Sequence, residues 1–340
     1  MLWDKQIILS SGVGYKDNVL LSPFHPRGSQ FSINGLDLMV LRVPLDGWQV
    51  VGSILGDDIR YWQNVGTNSE DSFLASLRVQ REMPRGWQAG MEVRGMYVKQ
   101  VLDISTSAGV PATALVDGYG YSLRPSLRKD FNSGFWLQLE TPVTHWFYQA
   151  PFDEYWEYGP VMTAAQDFGK ASEVRLNYGA SYQPHAKWVA LDQYGRPLPQ
   201  LLDIFQQRVE LAWRQYWDSH HSWRSSTRLV FAYKQDNGGG FFNYYQYQAV
   251  QDLRWQTANW QVKGSAQLAS EIYPVQGAGI LNGEILGRHL LGLSFEVERR
   301  LFKGLKGFGK MEYQQVRSNE ADNAGDYLAR TVTCGLRWEF

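Results

Sequence analysis

Apolar and polar positions alternate along most of this chain. From Arg288, Leu291, Leu293, Phe295, Val297 and Leu301 fall on one face and Ser294, Glu296, Glu298 and Arg300 on the other. From Trp260, Val262, Gly264, Ala266, Leu268 and Ile272 oppose Gln261, Lys263, Ser265, Gln267 and Glu271. The stretches from Phe73, Trp87 and Phe135 repeat the pattern, and it runs to the last residue, where Cys334, Leu336, Trp338 and Phe340 alternate with Thr333, Gly335, Arg337 and Glu339. Side chains of a strand point to opposite faces with a period of two, so these segments predict strands whose two faces meet different solvents. A soluble sandwich or propeller also alternates. Many of these segments exceed ten residues, and Trp and Tyr gather at their ends (Trp48, Tyr61, Trp62, Trp87, Trp136, Trp146, Trp217, Trp223, Trp255, Trp260, Trp338), as interfacial girdles do.

The final octet, Thr333-Cys334-Gly335-Leu336-Arg337-Trp338-Glu339-Phe340, resembles the C-terminal signal of bacterial outer-membrane β-barrels. Thr333, Gly335, Trp338 and Phe340 fill its polar, glycine and aromatic places. The resemblance implies a bacterial outer-membrane location and recognition by the barrel-assembly machinery.

Composition narrows the choice. Among 340 residues are 14 Trp, 19 Tyr and 16 Phe, yet mean hydropathy is negative. No run approaches the ~18 apolar residues that a membrane helix needs, and a barrel exposes only alternate residues to lipid. A net charge of −1 argues against a nucleic-acid partner. The single cysteine, Cys334, allows neither an internal disulfide nor a thiolate metal cluster. No secretory signal opens the sequence, so the expectation is a signal already removed or an N-terminal domain that precedes the barrel.

Connections alternate in length. Leu45-Asp46-Gly47, Pro84-Arg85-Gly86, Asn132-Ser133-Gly134 and Thr257-Ala258-Asn259 read as tight turns, whereas 16–28, 102–113, 149–170, 275–287 and 318–326 read as long loops. Single-chain bacterial barrels have an even strand number, short periplasmic turns and long outer loops. The obvious strands total fifteen, and counts from the two ends disagree across 171–217. The hidden strand is expected at Lys187–Asp192, entered by a turn at Gln183-Pro184-His185. The expected fold is one all-β domain over 1–340: a closed antiparallel transmembrane β-barrel of sixteen strands, with fourteen as the alternative.

Chemistry-bearing motifs are sparse. The six histidines lack metal-ligand spacing, and no nucleophile elbow, phosphate loop or dinucleotide fingerprint occurs. His220-His221 reads as a solvated turn pair, and no cofactor, metal or catalytic residue is assigned. Asp57-Asp58 resembles the rim carboxylates of outer-membrane proteases, but neighbours on a strand point to opposite faces. A barrel hydrolase is therefore the weakest reading.

The polar face carries more information. Parity turns Arg124, Arg128, Arg175, Arg208, Arg214, Arg224, Arg228 and Arg254 inward as a basic wall, and Glu271, Glu296, Glu298, Glu312 and Glu339 inward as an acidic one. Walls of opposite sign resemble the transverse field of diffusion porins; the plainer reading is a lining stiffened by cross-strand ion pairs. Phe152, Tyr155, Trp156 and Tyr158, in the loop 149–170, are candidates for a constriction, for sugar stacking, or for the outer girdle.

The opening Gly12-Val13-Gly14-Tyr15-Lys16-Asp17-Asn18-Val19 resembles the first hairpin of porin-like barrels encoded with exopolysaccharide systems. It is similar also to barrels that follow helical-repeat domains in surface-lipoprotein assembly modifiers and polysaccharide exporters. Neither resemblance transfers a functional residue. The leading expectation is a non-enzymatic outer-membrane channel that passes polar solutes or polysaccharide. The alternative is a plugged barrel that translocates, assembles or anchors a protein partner. Expected partners are outer-membrane lipid, the assembly machinery, and a periplasmic partner or helical-repeat domain.

Overall fold

In hydrocarbon a strand needs a hydrogen-bonded neighbour on both edges, because no water is present to satisfy its backbone. This chain meets that demand by closure. The computed structural model describes residues 3–44, 46–105, 112–131, 133–150, 152–169, 171–278, 284–320 and 325–340, and their strands form one antiparallel sheet in which the first strand pairs with the last. The strands are β1 (Trp3–Lys16), β2 (Ser29–Arg42), β3 (Trp48–Tyr61), β4 (Ser69–Met83), β5 (Trp87–Asp103) and β6 (Thr113–Asp130). Then follow β7 (Phe135–Glu140 and Val143–Tyr148), β8 (Tyr155–Tyr158 and Val161–Phe168), β9 (Ser172–Leu191) and β10 (Pro197–Tyr216). The circuit ends with β11 (Trp223–Asp236), β12 (Tyr244–Gln256), β13 (Trp260–Gly277), β14 (Ile285–Phe302), β15 (Leu305–Ser318) and β16 (Tyr327–Glu339). Sixteen strands thus close the wall.

Two of them are interrupted without losing register. Glu140 faces Val161 and Val143 faces Tyr158, so Thr141-Pro142 on β7 and Gly159-Pro160 on β8 lie side by side in one continuous ladder. Proline has no N–H to give, which thins the hydrogen bonding there. Here lies the strand that sequence reading misplaced. The stretch 149–170 is not one long loop, since β8 occupies most of it. Its two halves were hidden by the proline break and by the charges Asp153, Glu154 and Glu157. Lys187–Asp192 is not a separate strand: β9 runs through Gln183-Pro184-His185, with Pro184 still opposite Asp203, and bulges beyond it. The centres of the predicted loops 102–113, 275–287 and 318–326, together with Leu45 and Asn132 of the tight turns, lie outside the described residues.

Cross-strand partners share a face, so the registers sort the wall into lipid and lumen sides. Outward lie Leu9, Leu77, Leu139, Leu211, Leu253, Leu293 and Leu336, all exposed. Below this apolar belt, at the short-turn end, Trp48, Trp87, Trp223, Trp255, Trp260 and Trp338 also face out. Arg81, Lys129 and Arg299 lie over the rings of Trp48, Trp87 and Trp260. Above it Tyr97, Tyr119, Tyr121, Tyr158 and Tyr247 form the second girdle. Amphipathic rings settle at both membrane–water interfaces in this way. Three aromatics expected in the girdles face inward instead. Tyr61 packs edge-on against Phe31 at 5.9 Å, Trp136 is buried beneath Arg128 and Arg175, and Trp146 covers Gly120. Each ends its strand at the right height but on the other parity.

At the closing seam Gly12 stands opposite Gly335. A Cβ on Gly335 would lie 2.3 Å from the Ser11 carbonyl oxygen, so the two strands can approach this closely only with glycine. Of the C-terminal octet, Thr333 and Gly335 face the lumen, while Trp338, opposite Leu9, and Phe340 face out.

Candidate functional site: the lumen and its outer mouth

The lumen is lined by charged and amide side chains, as burial against water rather than lipid requires. Every residue of the two proposed walls lies on the lumen face by register. Most of the charges are interleaved as pairs. Arg124 donates to Glu140 at 2.9 Å, Arg128 to Asp130 at 2.5 Å, and Arg208 to Glu210 at 2.9 Å. Glu173 takes both Arg175 (2.8 Å) and Arg214 (3.1 Å), and Arg228 lies 3.8 Å from Asp252. Arg254 donates to Gln256 and Gln261, and Arg224 is opposite it on the neighbouring strand. On the acidic side Glu296 and Glu298 share Lys263 and Arg337, Glu339 holds Lys306, and Glu312 holds Lys310. Such pairs set each side chain's direction and leave a dipolar lining whose sign varies round the wall. Where the prolines interrupt β7 and β8, a recess of about 380 Å³ opens between Arg94, Arg124 and Arg208.

The outer mouth is built differently. Asp103, at the top of β5, accepts a hydrogen bond from Arg288 of β14 at 2.7 Å and from the Tyr327 hydroxyl of β16 at 3.3 Å. Strands β5 and β14 stand on opposite sides of the ring, so the β5–β6 hairpin lies across the mouth. Arg288 is almost completely buried and binds Glu271 as well, at 3.1 Å. The first outer loop seals the hairpin from one side. Leu21 packs with Val101, Val316, Tyr327 and Ala329, and the Leu20 carbonyl accepts from the Thr113 hydroxyl at 3.2 Å. That loop is anchored by Asn18, which is 1% exposed and donates to the carbonyls of Ser22 and Leu328 while accepting from the Ser22 N–H. The Asp-Asn-Val part of the opening motif is thereby a clamp between the first loop and the last strand. On β6, Gly118 and Gly120 leave room for the rings of Tyr148 and Trp146 to lie over the hairpin's root.

The β5–β6 hairpin reaches across the mouth, and the aromatic candidates of 149–170 divide between the two faces of the wall. Of the four aromatic candidates, Tyr155 faces inward at the top of β8 and Phe152 joins it from the short loop before that strand. Trp156 and Tyr158 face lipid, 41% and 43% exposed. Trp156 stacks on His145 at 4.1 Å, and Tyr121 bonds the His145 ring. Asp57 faces the lumen opposite Gly35, and Asp58 faces out opposite Asn34 beside Arg60 and Asp71, so the two carboxylates do not share a site. The His220-His221 turn is closed by Asp218, which accepts from the Trp223 and Ser222 N–H groups; these donors hold its carboxyl below the usual range. His221 stacks on Tyr216 at 4.5 Å. Sequence reading had no means of finding Asp103 and Arg288, because nothing in local pattern joins residues from opposite walls.

No family model and no curated protein matches this sequence. Among solved structures, OccAB1 of Acinetobacter baumannii superposes with a TM-score of 0.51 at 6% identity, over 99% of this chain and 97% of that one. A bacterial polysaccharide outer membrane secretin gives 0.49 at 10% identity (99% and 98% covered), and an anion-selective porin from Comamonas acidovorans gives 0.47 at 12% (99% of each). These identities speak to fold alone. Closure, lipid belt, twin girdles and polar lumen together make this chain a sixteen-stranded β-barrel of the bacterial outer membrane.

Proposed function

We propose that the barrel is a channel for small polar solutes, narrowed at its outer mouth by the β5–β6 hairpin. The observation that carries this reading is the Asp103–Arg288 pair, which ties opposite walls together above a continuous charged lumen. Passage needs no bond chemistry. Wall amides and ion pairs replace part of a solute's hydration, and the hairpin sets the size limit. Passage of a polysaccharide chain requires the hairpin to swing aside.

The same pair favours a second reading, in which the barrel stays shut until a protein partner displaces the hairpin. Single-channel recording in planar bilayers separates the two. The channel reading predicts stable conductance steps from the wild-type protein, whereas a partner-opened barrel gives closed records. Hydrogen bonds to charged groups contribute about 1.5–3 kcal/mol. Asp103→Asn is therefore expected to raise the ratio of fully open to narrowed states roughly tenfold or more. Identical traces for variant and wild type would remove the hairpin from the mechanism.

A further inference from the structure

Between the hairpin and the inner wall of β7–β11 lies a cavity of about 170 Å³. Its lining combines flat rings with a few convergent polar groups. Tyr155 and Trp188 flank His185, at 4.9 Å and 5.4 Å between ring centroids, and the Trp188 and His185 planes lie within 5° of parallel. Asp153 enters from the loop before β8 with its side chain wholly buried. Its Oδ2 accepts from the N–H groups of Lys187 (2.9 Å) and Trp188 (2.8 Å), which fixes the carboxylate in place. Its Oδ1 has no hydrogen-bond partner, and neither has Nδ1 of the buried His185, although the imidazole lies 3.4 Å from the carboxylate. Lys234 also lines the cavity, deeply buried.

Each feature constrains the occupant. A fixed carboxylate oxygen without a donor demands an O–H or N–H from whatever fills the space. Parallel ring faces favour a flat, weakly apolar C–H surface. The lining carries Asp103, Asp153 and Lys234; Asp103 is neutralised by Arg288, and the opposite charges of Asp153 and Lys234 offset each other, which leaves little net charge for an ionic ligand to neutralise. The position, under the hairpin and beside the only described crossing of the mouth, puts an occupant in contact with solute on its way through.

We infer that this cavity is a binding site for one neutral sugar unit, with Asp153 accepting a ring hydroxyl and the Tyr155–His185–Trp188 stack holding its C–H face. The inference deepens the channel reading, and rests on it, by naming the solute class that pauses at the mouth. It assigns a use to the aromatic and acidic residues of 149–158 that a constriction does not need.

The test is current block in planar bilayers by glucose, N-acetylglucosamine and maltose added to the outer side, with glycerol and choline as controls. Saturable block is expected from at least one sugar and from neither control. Asp153→Asn and Trp188→Leu are each expected to weaken that block by a factor of ten or more, measured as the sugar concentration for half block relative to each variant's own sugar-free conductance. The heat-modified shift on SDS gels verifies that each variant has folded. Conductance without sugar tests the channel itself, so a conducting barrel that no sugar blocks overturns the site and spares the pore. Block by choline alone, or block by sugar that survives both substitutions, also overturns it, since the cavity would then hold a cation or water only.

Discussion

Single side chains decide how this barrel is fastened. Asn18 is the clearest case: a buried amide that bonds the first loop to itself and to the last strand through three hydrogen bonds. Asn18→Ala removes the amide and leaves the partly buried carbonyls of Ser22 and Leu328 without this donor, at a cost of about 1–3 kcal/mol. The expected outcome is a lower urea midpoint for unfolding from lipid vesicles and a lower temperature for the heat-modified gel shift; an unchanged midpoint would show that the clamp is dispensable. At this scale the sequence was legible in direction and mute in partnership. Parity alone turned Arg124, Arg208, Glu296 and Glu339 toward the lumen, because period two is a property of the strand itself. That Arg124 meets Glu140, or that Asp103 meets Arg288, depends on register and on curvature round the wall, which no local pattern encodes.

Strands and hairpins were read well where alternation was unbroken and poorly where proline entered. Segments such as 260–272 and 288–301 announce themselves, whereas the apolar face of β8 (Trp156, Tyr158, Met162, Ala164 and Phe168) is interrupted by Gly159-Pro160 and flanked by Asp153, Glu154 and Glu157, so the pattern reads as loop. Conversely, the upper part of β9 looks like a separate strand because Pro184 suggests a turn. It does not turn, since Pro184 stands at the rim where the ladder is about to bulge. The lengths also exceed what crossing demands. A tilted strand of about 9–11 residues spans the bilayer, yet β9 and β10 have 20 residues each and β13 and β14 have 18. The excess stands above the outer girdle, and there the cavity under the hairpin is formed. At the mouth, the stretch 149–170 is rich in aromatics, but the element that reaches across is the hairpin whose root is covered by Tyr148 and Trp146 at Gly118 and Gly120.

The whole molecule is a wall with hydrocarbon on one side and enclosed water on the other. Most of its lumen charges are paired, so removing cations alone should expose their partners. Replacing Arg124, Arg128, Arg208 and Arg228 together with Ser leaves Glu140, Asp130, Glu210 and Asp252 behind. The zero-current potential in a salt gradient is therefore expected to move toward cation preference; no movement would mean that these pairs only brace the wall. Even that result would leave the barrel's orientation of faces standing, on which all the rest depends. The direct probe of it is a cysteine scan over residues 261–268 of β13, in a background where Cys334, the single native thiol, is replaced by serine. In lipid vesicles a membrane-impermeant maleimide should label 261, 263, 265 and 267 from the water-filled lumen and leave 262, 264, 266 and 268 unreacted in hydrocarbon. Equal labelling of both sets, or labelling of the even set alone, would contradict the account.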